Sequence, residues 1–418
     1  MPPPRLSHPP DPDRLSVRTL EASEIDGWLR CMATGFLAQT AEGEGQYRLG
    51  DMDLSRTWSA FDGDSVVGTL RSFASPLTVP GPHEVPCAAL TNVTVAPTHR
   101  RRGLLTRMIT ADLRASAARG EPVGILIASE YPIYGQFGYG PAVDGATYTL
   151  DAVNARFLRP GVGRVELVDP ATLRHHAPPV YERVRAAQPG AIGRNDRWWD
   201  RALGRVEVPG ATPWKGYQAV YHSPDGAIDG YVRYTAENKW DHMRPRGTLT
   251  VTELVAATPD AYHRLWRYCC EVDLVTSVTA GDRPVDEPLA WLLADARSLR
   301  QNGRFDFVWV RVLDVAAALS ARRYPVEGRL VIEVTDPLGI ASGRFVLEGG
   351  PAGATCAATD VSAELTFPVD ALGSVYLGGA SVLALAGAGR VDEHRSGAAR
   401  RADTLFRSPV APWCSTWF

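Results

Sequence analysis

The sequence predicts a protein of the α+β class, in which mixed sheets flanked by helices form three successive units. Three observations support this prediction. Within residues 57–127 a hairpin is followed by a strand, a loop, an amphipathic helix and an apolar strand. The order of hairpin, strand, loop and helix returns within residues 216–272, and a third set of strands and short helices comes after it.

Length and composition are those of a large globular protein. The chain has 418 residues, 45% hydrophobic and 22% charged, which suggests about two to four domains. A net charge of −3 gives no electrostatic reason to expect nucleic acid or a membrane surface as a partner. Residues 1–14 are Pro-rich, lack the apolar core of a signal peptide and are expected to be disordered. A cytoplasmic location is therefore expected.

The six cysteines are scattered, and the closest two are adjacent, at Cys269 and Cys270. Because no CxxC pair occurs and no His lies at a zinc-finger spacing, a structural zinc site is not expected. A disulfide framework is not expected in a chain of this size. Free thiols and no metal are the prediction.

Residues 15–150 are predicted to form the first unit. A short strand precedes a helix that starts near Ser23, and two strands meet at the Asp62–Gly63 turn. The amphipathic helix "LLTRMITADLRASAARG" ends at Gly120. The strand that follows, in "PVGILIASEY", is almost entirely apolar, as expected for a strand covered on both faces.

The second and third units are predicted at residues 151–302 and 303–418. The second unit follows the frame of the first but lacks its "RRRG" loop, as a diverged duplicate would. An unrelated α+β domain is the alternative. The third unit opens with "DFVWVRVLDVAAALSARRY", read as strand then helix, includes the apolar helix "ASVLALAGAG" and ends in the aromatic tail "APWCSTWF".

The stretch "NVTVAPTHRRRGLLTRM" has the features of an anion site. A strand at Asn92–Val95 leads through Arg100–Gly103 into a helix that begins near Leu104. The first N–H groups of a helix have no internal partner, and they lie at the positive end of its dipole. Gly103 removes a Cβ where a ligand must approach the backbone, and the arginines add positive charge. The predicted ligand is a pyrophosphate.

Two common nucleotide loops are excluded, because neither GxxxxGK[ST] nor GxGxxG occurs in this stretch. What remains is the R-x-x-G-x-[GA] loop with which GNAT-fold acetyltransferases hold the pyrophosphate of coenzyme A. Here it reads "RRRGLL", with Leu105 where the superfamily prefers Gly or Ala. An Arg-rich turn also fits a solvated surface, but its position after a hairpin and an apolar strand favours the ligand site.

A Tyr-rich turn, "ASEYPIYGQFGYG", follows the next strand. A phenol has an ordinary pKa of about 10 and a thiol of about 8.5, so a Tyr is able to protonate the thiolate that leaves a thioester. Tyr131, Tyr134 and Tyr139 are all candidates on this argument. Simple packing beside the glycines is the alternative for each of them.

Together, "VAPTHRRRGLLTRM" and "ASEYPIYGQFGYGP" resemble the Eis (enhanced intracellular survival) family of actinobacterial N-acetyltransferases, and the resemblance extends over the whole chain. It implies a catalytic GNAT domain at 15–150, a degenerate GNAT-like domain at 151–302 and a sterol-carrier-protein-like domain at 303–418. It further implies acetyl-CoA as co-substrate and assembly into homohexamers.

The resemblance also assigns residues. It makes Tyr134 the general acid and the terminal carboxylate of Phe418 the general base, with Trp413 and Trp417 burying the tail. A free carboxylate has an ordinary pKa of about 3.5, so this base needs burial or a water relay, or it serves to hold a cationic amine. The implied cofactor-binding residues are Val93, Thr94, Val95, Arg101, Arg102, Gly103, Leu104, Leu105, Thr106, Ser129 and Glu130.

The implied substrates are primary amines of aminoglycoside-like or other polyamine molecules. Neither the residues before Phe418 nor "CMATGFLAQT" supply the carboxylates that a polycation requires, so a less cationic amine or a peptide lysine is the alternative. Two readings from other classes remain: a lipid- or sterol-binding carrier that uses the third unit, and a non-catalytic acetyl-CoA sensor.

Overall fold

The computed structural model describes residues 14–81 and 83–418. The predicted disorder of the Pro-rich start concerns residues 1–13, which lie outside this range. Arg14, which the prediction included in that segment, accepts a hydrogen bond from the Gly63 N–H at 3.2 Å. Arg14 is therefore part of the folded first unit.

Strands alternate with short and medium helices along the whole chain. The strands are β1 (Leu15–Thr19), β2 (Thr57–Asp62), β3 (Ser65–Val79), β4 (His83–Val95), β5 (Val123–Ile127), β6 (Gly140–Pro141), β7 (Asp144–Asp151), β8 (Arg164–Leu167), β9 (Tyr217–His222), β10 (Ile228–Glu237), β11 (Trp240–Asp241), β12 (Arg244–Pro245), β13 (Gly247–Ala256), β14 (Val275–Arg283), β15 (Leu299–Asp306), β16 (Val308–Val312), β17 (Gly328–Thr335), β18 (Gly343–Gly350), β19 (Gly353–Ala358), β20 (Leu365–Pro368) and β21 (Asp392–Glu393). The helices are α1 (Ile25–Gly35), α2 (Glu44–Leu49), α3 (Leu104–Ala118), α4 (Tyr131–Tyr134), α5 (Pro170–Arg185), α6 (Asp196–Ala202), α7 (Pro259–Glu271), α8 (Val315–Ala321), α9 (Val369–Tyr376), α10 (Val382–Gly387) and α11 (Ala398–Phe406).

The first two sheets share one plan, as the sequence predicted. The first has the order β1-β2-β3-β4-β5-β16-β6, and the second has the order β15-β7-β14-β13-β10-β9-β8. In each, consecutive antiparallel strands lead to one parallel pair, β4 with β5 and β13 with β14, joined by α3 and α7 respectively. The third sheet, β19-β18-β17-β20-β21, carries α8 to α11.

The sheets do not divide at the predicted domain boundaries. All of β7 except Asp151 was assigned to the first unit, but β7 pairs within the second sheet. Val308–Val312 was assigned to the third unit but lies beside β5 in the first sheet. Every side chain of β16 is buried, and its backbone satisfies the edge of β5, which would otherwise carry unpaired N–H and C=O groups.

The third unit packs on the strand that it lends to the first sheet. One apolar cluster runs from Val123 and Val310 of the first sheet to Leu330 and Leu372 of the third unit. At the border of this cluster, Arg311 forms an ion pair at 2.6 Å with Asp336, the residue that follows β17. Both side chains are fully buried. Within residues 14–81 and 83–418, no helix has both the length and the apolar character that crossing a membrane requires.

Candidate active site

The site begins where two parallel strands of the first sheet part. Pairing between β4 and β5 joins Cys87–Leu90 to Val123–Leu126 and goes no further, although β4 continues to Val95. Beyond that point β4 contains a bulge, at which Asn92 takes a φ of 55°. The Thr69 Oγ1 hydroxyl donates a hydrogen bond to the Asn92 carbonyl at 2.7 Å and holds the bulge in place.

The opening between these strands is a cavity of about 690 Å³. The structure brings all the predicted cofactor-binding residues to its wall, namely Val93, Thr94, Val95, Arg101, Arg102, Gly103, Leu104, Leu105, Thr106, Ser129 and Glu130. Gly35 and Phe36, at the end of α1, also line it and were not predicted. A Cβ on Gly35 would lie 1.9 Å from the Thr94 Oγ1 atom, so only glycine permits this approach.

The loop before α3 presents free backbone donors to the cavity. Arg101 and Gly103 both take left-handed conformations, with φ of 63° and 72°, and Gly103 is the N-cap of α3. Among the described residues no side chain caps this end of the helix, so its first N–H groups remain available to a ligand. A Cβ on Gly103 would meet no atom within 4 Å. The need for glycine in this fold is therefore conformational, and the open space allows an anion to come close.

Arg102 has a guanidinium nitrogen with no protein partner. Its Nη2 donates to the Thr98 carbonyl at 3.1 Å, which fixes the side chain. Its Nη1 is buried, and among the described residues it has no hydrogen-bond partner. A buried donor of this kind costs free energy unless a ligand satisfies it. These features fit the pyrophosphate that the sequence predicted.

The three candidate tyrosines have different surroundings. Tyr131 is 60% exposed and packs against Trp309, with ring centroids 4.8 Å apart. Tyr139 is buried behind Tyr134, at a centroid distance of 6.3 Å. Of the three, Tyr134 alone lines the cavity. Burial raises the pKa of its phenol and the Ser129 hydroxyl lowers it, so the net direction is upward. Tyr134 is therefore protonated at neutral pH.

The cysteines stay outside this chemistry. All six are free, and none lines the cavity. Burial raises the pKa of the Cys31 thiol to about 11, which disfavours the nucleophilic thiolate. Within the described part of the chain, no group of three or more His, Cys, Asp or Glu side chains is arranged to hold a metal ion.

Phe418 lies beside this cavity and not in it. It lines a second cavity of about 210 Å³, here called the tail cavity, together with Thr91 and Asn92 of β4. Its ring packs edge-on against Phe73 at a centroid distance of 5.8 Å. Because Asn92 lines the tail cavity and Val93 lines the first one, the two cavities adjoin at consecutive residues of β4.

The tail reaches this position across the second unit. Trp413 is 8% exposed, and its Nε1 donates to the Asp282 carbonyl at 2.7 Å. Trp417 is 55% exposed, so it contributes less burial than predicted, but it fixes the tail by packing on Phe307 at a centroid distance of 4.8 Å and by donating to the Asp282 carboxylate at 2.8 Å. The anchor that sequence reasoning missed is Arg194, whose Nε donates to the Thr416 hydroxyl at 2.8 Å.

Comparison with known proteins agrees with this architecture. Residues 16–142 and 190–312 each match a family model described as an acetyltransferase (GNAT) domain, and residues 315–415 match a sterol carrier protein domain. These matches confirm the predicted fold of two GNAT domains followed by a sterol-carrier-like domain.

Relatives share nearly the full length of the chain. An uncharacterized N-acetyltransferase of Streptomyces avermitilis is 42% identical over 97% of this chain and 99% of its own length. The N-acetyltransferase Eis of Mycobacterium tuberculosis is 39% identical over 83% of this chain and 85% of its own length. The crystal structure of Eis1 from Mycobacterium abscessus superposes with a TM-score of 0.85 at 36% identity, covering 96% of this chain and all of that one. The chain therefore belongs to the Eis family of N-acetyltransferases.

Proposed function

We propose that this protein transfers the acetyl group of acetyl-CoA directly to a primary amine of a small molecule. The observation that carries the proposal is the composition of the larger cavity. The free N-terminus of α3, the unpartnered nitrogen of Arg102, the split edge of β4 and the buried phenol of Tyr134 all meet there.

The cofactor is held by groups that the fold leaves without partners. Bound acetyl-CoA supplies an acetyl group activated as a thioester. The N–H groups of Leu104–Thr106 and the Arg102 guanidinium bind its pyrophosphate. Backbone amides of β4 beyond Leu90 are free of β5 and donate to the acyl oxygen as it gains negative charge.

Two groups handle protons in this proposal. Tyr134 holds the proton that the departing sulfur receives, and its upward pKa shift keeps that proton in place until then. The terminal carboxylate of Phe418 orients the attacking amine and accepts its proton, from a position next to Asn92. No step needs a covalent enzyme intermediate, which is consistent with the cysteines lying outside the cavity.

The acceptor is a primary amine, and aminoglycoside-like polyamines are the class suggested by family resemblance. The tail cavity does not favour them, because four arginine side chains line it: Arg48, Arg71, Arg197 and Arg201. This observation favours the less cationic amine that the sequence left open. Homohexamer assembly remains a prediction from the resemblance, a cytoplasmic location remains a prediction from the sequence, and a lipid ligand for the third unit remains an alternative.

The test is coenzyme A release from acetyl-CoA against an aminoglycoside, a polyamine, a lysine peptide and simple amines. Tyr134→Phe removes the proposed acid, and kcat should fall by about 10²–10⁴-fold. Tyr131→Phe is the matched control in the same turn, and it should keep its rate. A chain with one extra residue after Phe418 should lose amine-dependent turnover. Equal rates for the two Tyr variants would refute Tyr134 as the acid, and an active extended chain would refute the carboxylate's role.

A further inference from the structure

The tail cavity has an unusual charge. Arg48 and Arg71 come from the first unit, whereas Arg197 and Arg201 lie on α6 of the second unit. The chain brings four guanidinium groups to one small space from positions that are far apart in sequence. Asp51 is the one acidic side chain in the lining.

Two of these arginines have acidic partners. Arg48 contacts Glu44 at 2.9 Å, and Arg71 lies 3.8 Å from Asp51. Arg197 instead donates to the Tyr47 carbonyl and stacks over the Tyr47 ring at 4.3 Å. This contact fixes Arg197, but it brings no negatively charged group to the guanidinium.

The surroundings of Arg201 and of the Arg71 Nε atom indicate that this cavity binds an anion. Arg201 is exposed and has no acidic partner among the described residues, whereas the Arg71 Nε atom is buried and has no hydrogen-bond partner among them. Burial is the main cause that lowers the pKa of the Arg71 guanidinium; Asp51 raises it, and repulsion by the other three arginines lowers it again. An oxyanion bound among them would relieve this repulsion.

We propose that the acceptor of this enzyme is a small amine that also carries an oxyanionic group, which Arg71 and Arg201 bind. Planar guanidinium groups suit carboxylate and phosphate oxygens, because they donate paired hydrogen bonds in a fixed geometry. The tail cavity, at about 210 Å³, is smaller than the roughly 300–1,000 Å³ of common ligand pockets, so the acceptor is small. Its amine extends toward Asn92, where the cofactor cavity begins. This inference rests on the proposed function and narrows its substrate class.

The decisive comparison uses three amines of equal chain length. They are 5-aminopentanoate, pentylamine and cadaverine, whose far ends are anionic, neutral and cationic. We expect kcat/KM for acetylation to fall in that order, by about ten-fold or more from the first to the second. The advantage of O-phosphoethanolamine over ethanolamine, compared with that of 5-aminopentanoate over pentylamine, then tells whether phosphate or carboxylate is preferred. A rate for pentylamine or cadaverine equal to that for 5-aminopentanoate would overturn the inference.

One variant and one matched control test whether Arg201 binds the anionic group of the acceptor. Arg201→Gln should lower kcat/KM for 5-aminopentanoate by about ten-fold and should shrink its advantage over pentylamine. Arg205→Gln removes the same charge from an exposed position four residues later, and it should leave that advantage unchanged. Equal effects of the two variants would show that only the general charge of the surface matters, and the inference would be wrong.

Binding separates this inference from the proposed reaction. Calorimetry in the presence of coenzyme A measures the affinity for 5-aminopentanoate without any turnover. If no amine is acetylated but 5-aminopentanoate binds and Arg201→Gln weakens it, the proposed reaction fails and the anion site stands. If amines are acetylated while 5-aminopentanoate binds no better than pentylamine, the reaction stands and the anion site fails.

Discussion

Arg194 is the structural link between the body of the protein and its tail, and its removal gives the sharpest test of how Phe418 is positioned. Its side chain is fully buried between the rings of Tyr181 and Trp198, each 3.8 Å from the guanidinium carbon. It lies 2.7 Å from the buried Glu253 carboxylate and donates to the Thr416 hydroxyl at 2.8 Å. Arg194→Met keeps the apolar bulk and removes both polar contacts.

The expected loss of stability is set by the Glu253 carboxylate, which stays buried without its partner. Breaking a buried ion pair by removing one partner costs about 3–5 kcal/mol, because the other charge stays buried alone. In a unit of this size each kcal/mol lowers the thermal midpoint by about 2–4 °C, so a drop of roughly 6–20 °C is expected. The tail should also detach, since Arg194 holds both Thr416 and the Ser415 carbonyl.

Two measurements and two further variants test whether Arg194 stabilises the fold and holds the tail. Thermal unfolding reports stability, and release of Phe418 by a carboxypeptidase reports tail detachment. Arg194→Met with Glu253→Gln should recover part of the stability, because no lone charge remains, but should not recover tail protection or acetyl transfer. Glu253→Gln alone should keep the tail protected, since Arg194 still reaches Thr416. An Arg194→Met variant with an unchanged midpoint and a protected tail would refute the reasoning.

Two more predictions concern α3. Gly103→Ala should raise the KM for acetyl-CoA by about ten-fold, since a left-handed non-glycine residue costs about 1–2 kcal/mol and the loop would relax to avoid it. Gly120→Ala, with a φ of 79° and open space at the other end of the same helix, is the control, and an equal rise there would contradict the explanation. Asp112 is 1% exposed, accepts a 2.6 Å hydrogen bond from Ser72, and burial raises its pKa to about 6. Because the folded pKa exceeds the unfolded value, the contribution of Asp112 to stability is fully present below about pH 4 and is lost as pH rises to about 6, by about 3 kcal/mol. Denaturant unfolding of Asp112→Asn should therefore lack this slope, whereas a slope identical to that of the parent protein would show that Asp112 is not the titrating group.

The parts of this protein that local sequence predicted are those built from contiguous residues. The loop from Arg100 to Gly103 must lead from a strand into a helix wherever the unit lies, so its anion-binding character is visible in the sequence. The apolar run of β5 likewise predicted a strand, and the apolar periodicity of α3 predicted a helix. The choice of Tyr134 came from family resemblance, because chemistry alone did not separate it from Tyr131 and Tyr139.

Only the tertiary structure showed which sheets β7 and β16 belong to. Val308–Val312 and Asp144–Asp151 look like ordinary strands of the units next to them in sequence. Each instead satisfies an open edge in another sheet, because backbone hydrogen bonding depends on which edge is vacant and not on distance along the chain. Local periodicity contains no information about that edge, and the predicted boundaries at 150 and 302 lie inside β7 and β15.

The charges of the tail cavity were likewise decided only by the tertiary structure. The sequence showed an aromatic tail and few carboxylates near it, but it gave no sign that Arg71 and Arg201 would meet beside Phe418. Electrostatic interactions act through space, so charges more than a hundred residues apart form one cluster once the sheets are packed. The sequence by itself therefore determined the family and the fold class, and it located the loop before α3 that lines the larger cavity. The packing of the three units determined which charges line the tail cavity.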